Sequence, residues 1–231
     1  MKRVDSEAAQ TREATFALIE RALLDSDATV RFLAASALAQ VQSAASHRQQ
    51  SREQAATNKR MQLPPTLLAA ASAALDDPAR GVRGNSLNAL VYFWQDSSAK
   101  LTSRLLARYE LEQDPVIRTL LMAHLYHVGK SDSRVASLAV AAMQDPAAAV
   151  QYQAALAISA LTPADGLPAV VAALQTGDQK IRPACVAALA AYGQRASAQI
   201  GLLETLRASE PNENVRKQID AAITKIRAAQ R

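Results

Sequence analysis

At 231 residues, with 49% apolar and only 4% aromatic content, the chain rests its apolar share on Ala, Leu and Val, which suits closely packed helices and argues against aromatic-rich sandwiches, barrels and ligand pockets. Its formal charge of +5 and pI near 9.6 come without any block of like charges, so the basic balance alone does not amount to a nucleic-acid footprint, which needs clustering on one face. One cysteine, Cys185, rules out an intramolecular disulfide; no apolar run approaches the roughly 20 residues of a membrane span, and MKRVDSEAAQTREAT at the start has no apolar stretch of the kind a signal peptide needs, so a soluble, cytoplasmic protein is expected.

Taken in chain order, the segments repeat. About residues 6–42 read as a helix, an acidic turn at Asp25 and a second helix anchored on Val30-Arg31. A basic insertion follows at about 43–62, SAASHRQQSREQAATNKRMQ, with His47, Arg48, Arg52, Lys59 and Arg60 against Glu53 alone. It permits helix but offers no apolar face, and it reads either as a solvated extension or as an arm that contacts an acidic partner. Five further segments, about 63–96, 97–128, 131–161, 164–193 and 194–229, carry the anchors Val82-Arg83, Ile117-Arg118, Val150-Gln151, Ile181-Arg182 and Val215-Arg216. The anchors lie 52, 35, 33, 31 and 34 residues apart in order, and a near-constant period of this size marks a repeat array. Each segment holds a first helix before the turn, LPPTLLAAASAAL and SRVASLAVAAM being clear cases, and a second helix after it.

Within each second helix, offsets of +4, +5, +7 and +8 from the anchor are mostly small or apolar, as in Ala154, Ala155, Ala157 and Ile158. Those offsets trace one stripe of a 3.6-residue helix, so they predict the core. Pro78, Pro146 and Pro211 each follow an acid and are expected in the first turn of a second helix, where a missing N–H costs nothing. Gly129, Gly177 and Gly193 fall where helices should stop.

An acid also stands six residues before most anchor arginines: Asp25 before Arg31, Asp77 before Arg83, Glu112 before Arg118 and Glu210 before Arg216. The fourth segment keeps Asp145 but has Gln151, and the fifth keeps Arg182 but has Thr176. The spacing allows two readings, an arginine row that meets phosphates or a structural acid–arginine ladder running from repeat to repeat along the turns. The ladder is preferred, because most of the anchor arginines have an acid in sequence to pair with, and each exposed pair would then contribute only about 0.2–1 kcal/mol.

These residues resemble the HEAT repeat, and in particular the short bacterial repeats of the phycobilin-lyase-subunit type, over about residues 6–229. The resemblance implies an all-α fold, a right-handed α-solenoid of about six helical hairpins, spanning 1–231 as a single array whose second helices line a concave groove. Gln151, Gly84 and Pro183 depart from the pattern.

The remaining candidates are few. Tyr92, Phe93 and Trp94 end one second helix and Tyr126 with His127 ends the next, at comparable offsets; Tyr92, Trp94, Tyr126 and His127 therefore form a candidate aromatic patch for a protein partner, with Arg48 and Arg52 of the insertion beside them as candidates, while Phe93 and Trp94 can equally be core. His124 and His127 sit three apart on a helix, but no third ligand is near in sequence, so no metal is expected. Cys185 falls at a core offset and reads as a buried structural thiol. No phosphate loop, nucleophile elbow or paired-cysteine spacing is present, and neither a cofactor nor catalysis is expected. The leading reading is a non-catalytic protein-binding scaffold whose partner and oligomeric state the sequence does not identify. Two alternatives stand beside it: a nucleic-acid binder related to the HEAT-like DNA glycosylases, for which Trp94 and Asp96 are the thin support, and a subunit of a phycobilin-lyase-like complex.

Overall fold

The structure, a computed structural model, describes residues 2–50, 62–94, 98–176 and 178–230, with the side chains of 2–9, 42–50 and 98 outside that description. Among the described residues every regular element is helical. The α-helices are α1 (Lys2–Leu23), α2 (Ala28–Gln50), α3 (Pro65–Ala73), α4 (Arg80–Phe93), α5 (Ser98–Leu111), α6 (Pro115–Val128), α7 (Ser133–Ala142), α8 (Ala148–Leu161), α9 (Gly166–Gln175), α10 (Arg182–Tyr192), α11 (Ile200–Ser209) and α12 (Glu213–Ala228). Short 3-10 stretches, Ala74–Asp76 and Gly193–Gln199, follow α3 and α10. Paired in order, the helices make six hairpins, the all-α arrangement of an α-solenoid. Part of the basic insertion, residues 43–50, continues α2 as helix, and residues 51–61 lie outside the described part.

The chain divides into two compact units, residues 1–104 and 105–231. In the first unit α2 packs along α4, α1 covers α2 and reaches α3, and α3 covers α4. In the second, α6, α8, α10 and α12 pack in series, with α7, α9 and α11 each laid on the second helix of its own hairpin. Successive second helices touch far more extensively than successive first helices do. Each stack therefore presents its second helices on the tighter, inner side.

The anchor-plus-offset stripe is the core. Ala154, Ala155, Ala157 and Ile158 are fully buried, as are Leu87, Ala89 and Leu90, and Cys185, Val186, Ala188 and Leu189 are at most 1% exposed. Alanine at these sites lets α8 and α10 approach closely while Ile158 and Leu189 fill the space between, and each buried aliphatic side chain of that size contributes about 1.5–3 kcal/mol.

The turns between the helices of a hairpin share one geometry. The acid accepts the N–H two residues on: Asp77 Oδ1 from Ala79, Asp145 Oδ1 from Ala147, Asp25 Oδ1 from Asp27, each at 2.8 Å, and Glu112 and Glu210 from Asp114 and Asn212 at 2.9 Å. The residue that donates this N–H is the N-cap, and the helix begins one residue later. Pro78, Pro146 and Pro211 consequently stand one residue before the N-cap rather than in the first helical turn, where the sequence pattern had suggested them. The acid's turn needs extended backbone after it, and proline's fixed φ supplies it. Pro115 does occupy a helix's first position, behind the N-cap Asp114, as Pro65 does at the start of α3. Where the N-cap has a polar side chain it caps: Asp114 Oδ1 accepts from Val116 at 2.8 Å and Asn212 Oδ1 from Asn214 at 2.9 Å. Ala79 and Ala147 adopt the same extended conformation with no side-chain cap. Gly129 and Gly193 cap α6 and α10, Gly193 with φ +54, a conformation that glycine takes without strain; Gly177 lies outside the described residues.

Candidate functional site

The arginines of the repeat turns come first, because a free row of them would be the best argument for phosphate binding. Arg31, Arg83, Arg118 and Arg216 each turn one nitrogen back onto their own turn. Arg31 Nη1 donates to the carbonyls of Asp25 (2.9 Å) and Ser26 (2.8 Å), Arg83 Nη1 to those of Asp77 (2.8 Å) and Pro78 (2.9 Å), and Arg216 Nη1 to those of Glu210 (2.8 Å) and Pro211 (3.1 Å). Arg118 Nη1 does the same to Gln113 at 2.8 Å, and Gln151 Nε2 keeps the equivalent bond to Asp145 at 2.7 Å.

The other side of the guanidinium reaches forward to the acid of the following hairpin. Arg31 Nε meets Asp77 Oδ2 at 2.5 Å, Arg118 bridges both oxygens of Asp145 at 2.9 and 3.0 Å, and Arg182 pairs with Glu210. The charge partner is thus not the acid of the arginine's own segment. Side chains of these three pairs keep only 3–15% of their exposure, so the value of about 0.2–1 kcal/mol expected for exposed pairs does not apply: stranding one partner of a largely buried pair costs about 3–5 kcal/mol. Asp145 raises Arg118 above its usual value through this hydrogen bond. At Glu210 burial alone would raise the carboxyl, but the Asn212 N–H and Arg182 outweigh it and hold the group below its ordinary value.

Forward pairing also explains two departures as one. Gln151 would have to reach the residue at 176, which is Thr; its hydroxyl donates instead to the Ala173 carbonyl at 2.7 Å. Both charges of a single rung are therefore replaced together. The junction of α8 with α10 is held by apolar packing and by Tyr192, whose hydroxyl donates to the Pro163 carbonyl at 2.7 Å and whose ring carries Arg195 at 4.9 Å.

The candidate aromatic residues fall in both units. In the first, Phe93 is core, Tyr92 is half-buried with its ring edge-on to Phe93 at 4.9 Å, and Trp94 is half-buried just beyond α4. Trp94 lines an open groove of about 550 Å³ with Pro65, Leu68, Ala69 and Arg104, the last donating to Ser72 O at 2.9 Å and to Asp76 at 2.7 Å. In the second unit Tyr126 is half-buried against the exposed His127, ring centroids 3.9 Å apart, while burial and then His127 depress His124 below its ordinary value. Arg48 belongs to α2 but its side chain, like Arg52 and Asp96 altogether, lies outside the described residues. Among the described residues no group of three His, Cys, Asp or Glu is placed to hold a metal. Burial pushes the Cys185 thiol up to about 12, which leaves it protonated and unreactive at neutral pH.

The inner side of each stack is the other candidate. A second helix is flanked by second helices and backed by a first helix, so its exposed residues face the open side. Sequence reasoning placed a groove there without saying what lines it. In the second unit Leu120, Tyr152, Gln153 and Leu156 are half-buried and Ala160 and Ala187 exposed there. Across α4, α6, α8 and α10 the charged residues are Arg80, Arg83, Arg118 and Arg182, with no acid at all. That scarcity of charge was readable in the sequence once the helices were assigned to inner and outer sides.

Residues 135–224 match the family model for HEAT repeats. Over 94% of its length the chain is similar, at 16% identity and a TM-score of 0.61, to 97% of an engineered protein whose crystal structure was determined as a Northeast Structural Genomics Consortium target. No curated protein matches significantly. No helix among the described residues is long and apolar enough to cross a membrane. HEAT repeats generally serve as protein-interaction scaffolds, through the extended surfaces that stacked hairpins create. The period and the hairpin stacking agree with the family match: residues 135–224 carry HEAT repeats within an all-helical α-solenoid.

Proposed function

We propose that the chain is a non-catalytic scaffold that binds a protein partner along the inner side formed by the second helices α6, α8 and α10 of its second unit. One observation carries this reading: the charged residues of α6, α8 and α10 are Arg118 and Arg182, and the turn arginines are engaged with carbonyls and acids. A groove for nucleic acid needs cations free to neutralise phosphates. An uncharged strip bearing Leu120, Tyr152 and Leu156 instead matches the charge-depleted, aromatic-containing core of a protein interface. The buried free thiol of Cys185 suits a reducing compartment such as the cytoplasm.

The test is affinity capture with cross-linking from the native cell extract, comparing the wild type with the Leu120→Glu, Leu156→Glu double variant, whose helicity is checked by circular dichroism. A specific protein captured by the wild type and lost from a folded double variant supports the proposal. Unchanged capture by that variant, or a salt-sensitive shift of duplex DNA at low ionic strength with no protein captured, overturns it.

A further inference from the structure

The open face of α8 carries two polar groups that the fold does not use. Tyr152 and Gln153 are both half-buried, and among the described residues neither the Tyr152 hydroxyl nor the Gln153 amide meets a hydrogen-bond partner. The other polar side chains of the helix are committed: Gln151 Nε2 donates to the Asp145 carbonyl at 2.7 Å and Ser159 Oγ to the Ala187 carbonyl of α10 at 3.4 Å. Val150, Ala154, Ala157 and Ile158 form the buried stripe of α8. At 3.6 residues per turn Tyr152, Gln153, Leu156 and Ala160 therefore share the side turned away from that core.

Charge and hydrogen bonding together narrow what fits this side. α8 has no charged residue, and Arg118 of α6 and Arg182 of α10 are bound to Asp145 and Glu210. A carboxylate or an ammonium laid on α8 would lose its water and meet no free opposite charge. The Gln153 amide and the Tyr152 hydroxyl, by contrast, each offer both a donor and an acceptor. A partner that covers them has to return those bonds, because a buried polar group left unpaired is costly. The main chain of a helix cannot do so, since its N–H and C=O groups are spent on one another. An extended residue turns its own N–H and C=O to the same side, where one amide side chain matches both. The spacing agrees as well: Tyr152, Leu156 and Ala160 follow one another about 6 Å apart along the helix axis, and alternate side chains of an extended chain recur at roughly 6.6 Å. Ala187 is small and exposed on α10 beside this row, which leaves room for the chain itself.

Resting on the reading that a protein partner binds this inner side, we infer that the partner's docking segment is an extended, uncharged stretch of peptide. Gln153 and Tyr152 hold its main chain, and its apolar side chains seat at alternate positions along Leu156 and Ala160.

A library of random dodecapeptides, displayed and selected on the full chain, supplies the probe, and the strongest binder is labelled with fluorescein and titrated by fluorescence anisotropy. It should carry no Asp, Glu, Lys or Arg in its bound stretch and an apolar residue at every second position. Gln153→Leu should weaken binding at least tenfold, because a main-chain donor and acceptor are then left unmatched, while the variant melts like the wild type. Methylating one peptide N–H of the bound stretch should weaken it by a similar factor. Gln153→Ala replaces Gln153→Leu if the latter fails to fold. Selected peptides with apolar residues three and four apart, a charged bound stretch, or full affinity in a folded Gln153 variant overturn the inference, as does binding that Leu156→Glu leaves unchanged. If no peptide binds but a captured protein is lost from the Leu120→Glu, Leu156→Glu variant, the inference falls and the scaffold reading stands; if that capture too is unchanged, both fall.

Discussion

Replacing Arg118 by glutamine gives the second unit's first rung the side chain that the fourth hairpin already carries at Gln151. Gln151 shows that an amide retains the bond to the turn carbonyl, at 2.7 Å, so Arg118→Gln removes chiefly the two bonds to Asp145 at 2.9 and 3.0 Å. Asp145 is then left ionised at 10% side-chain exposure with only the Ala147 N–H to satisfy it. Removing one partner of a buried pair costs about 3–5 kcal/mol; the surviving N–H bond and the position at a turn put the expected loss near the lower end, about 3 kcal/mol. Asp145→Asn alone keeps an acceptor for Ala147 but leaves the guanidinium unpaired. In the double variant the two amides can hydrogen-bond with no stranded charge, so its cost should fall short of the sum of the single costs by about 1.5 kcal/mol or more. Urea denaturation of the four proteins, followed by ellipticity at 222 nm, measures all three numbers. A loss below about 0.5 kcal/mol for Arg118→Gln together with zero coupling would refute the reasoning, since the rung would then behave as an ordinary surface pair.

Further outcomes follow from individual residues. Ala147→Asn should stabilise the protein by about 1 kcal/mol, because Ala147 already has the N-cap conformation in which Asn212 caps α12; a lower urea midpoint would contradict this. Since Glu210 is held below its ordinary value of 4.5 in the folded protein, the stability it contributes is present above that pH and lost as pH falls through the lowered value; acid titration of the melting temperature should show a loss below about pH 4.5 that is smaller in Glu210→Gln. Val150, fully buried in the interior of the second unit, should cost about 2 kcal/mol as Val150→Ala, while Val215→Ala in the terminal hairpin should cost roughly half as much; equal losses in chemical denaturation would be the wrong result. Cys185 should resist Ellman's reagent at pH 8 until the chain is unfolded in guanidinium, whereupon one thiol should titrate.

Much of the fold was legible because stacking forces each hairpin to bury the same stripe. The offsets around Val150 and Ile181 marked Ala154, Ala155, Ile158 and Leu189 as core without reference to any partner. What one segment could not disclose was the reach of a side chain into its neighbour. Asp25 and Arg31 look paired when read along the chain, yet Arg31 uses only the Asp25 carbonyl and gives its charge to Asp77, 46 residues on. The proline positions were misjudged by one or two residues because the acid-to-N–H turn, which inserts an N-cap after each proline, leaves no signature in residue type when that N-cap is Ala79 or Ala147. The aromatic candidates were recognisable as a cluster in sequence, but whether Trp94 lay in core or groove depended on α3 and Arg104, which periodicity does not address.

The rung missing between Gln151 and Thr176 makes the interior unevenly responsive to its medium. Acid and concentrated salt attack carboxylate–guanidinium contacts, whereas salts that strengthen apolar burial tighten a seam made of methyl groups. The α8–α10 seam should therefore be the one least loosened by protonation, and hydrogen exchange at low pH should find its amides among the slowest while the ion-bridged hairpins on either side open first.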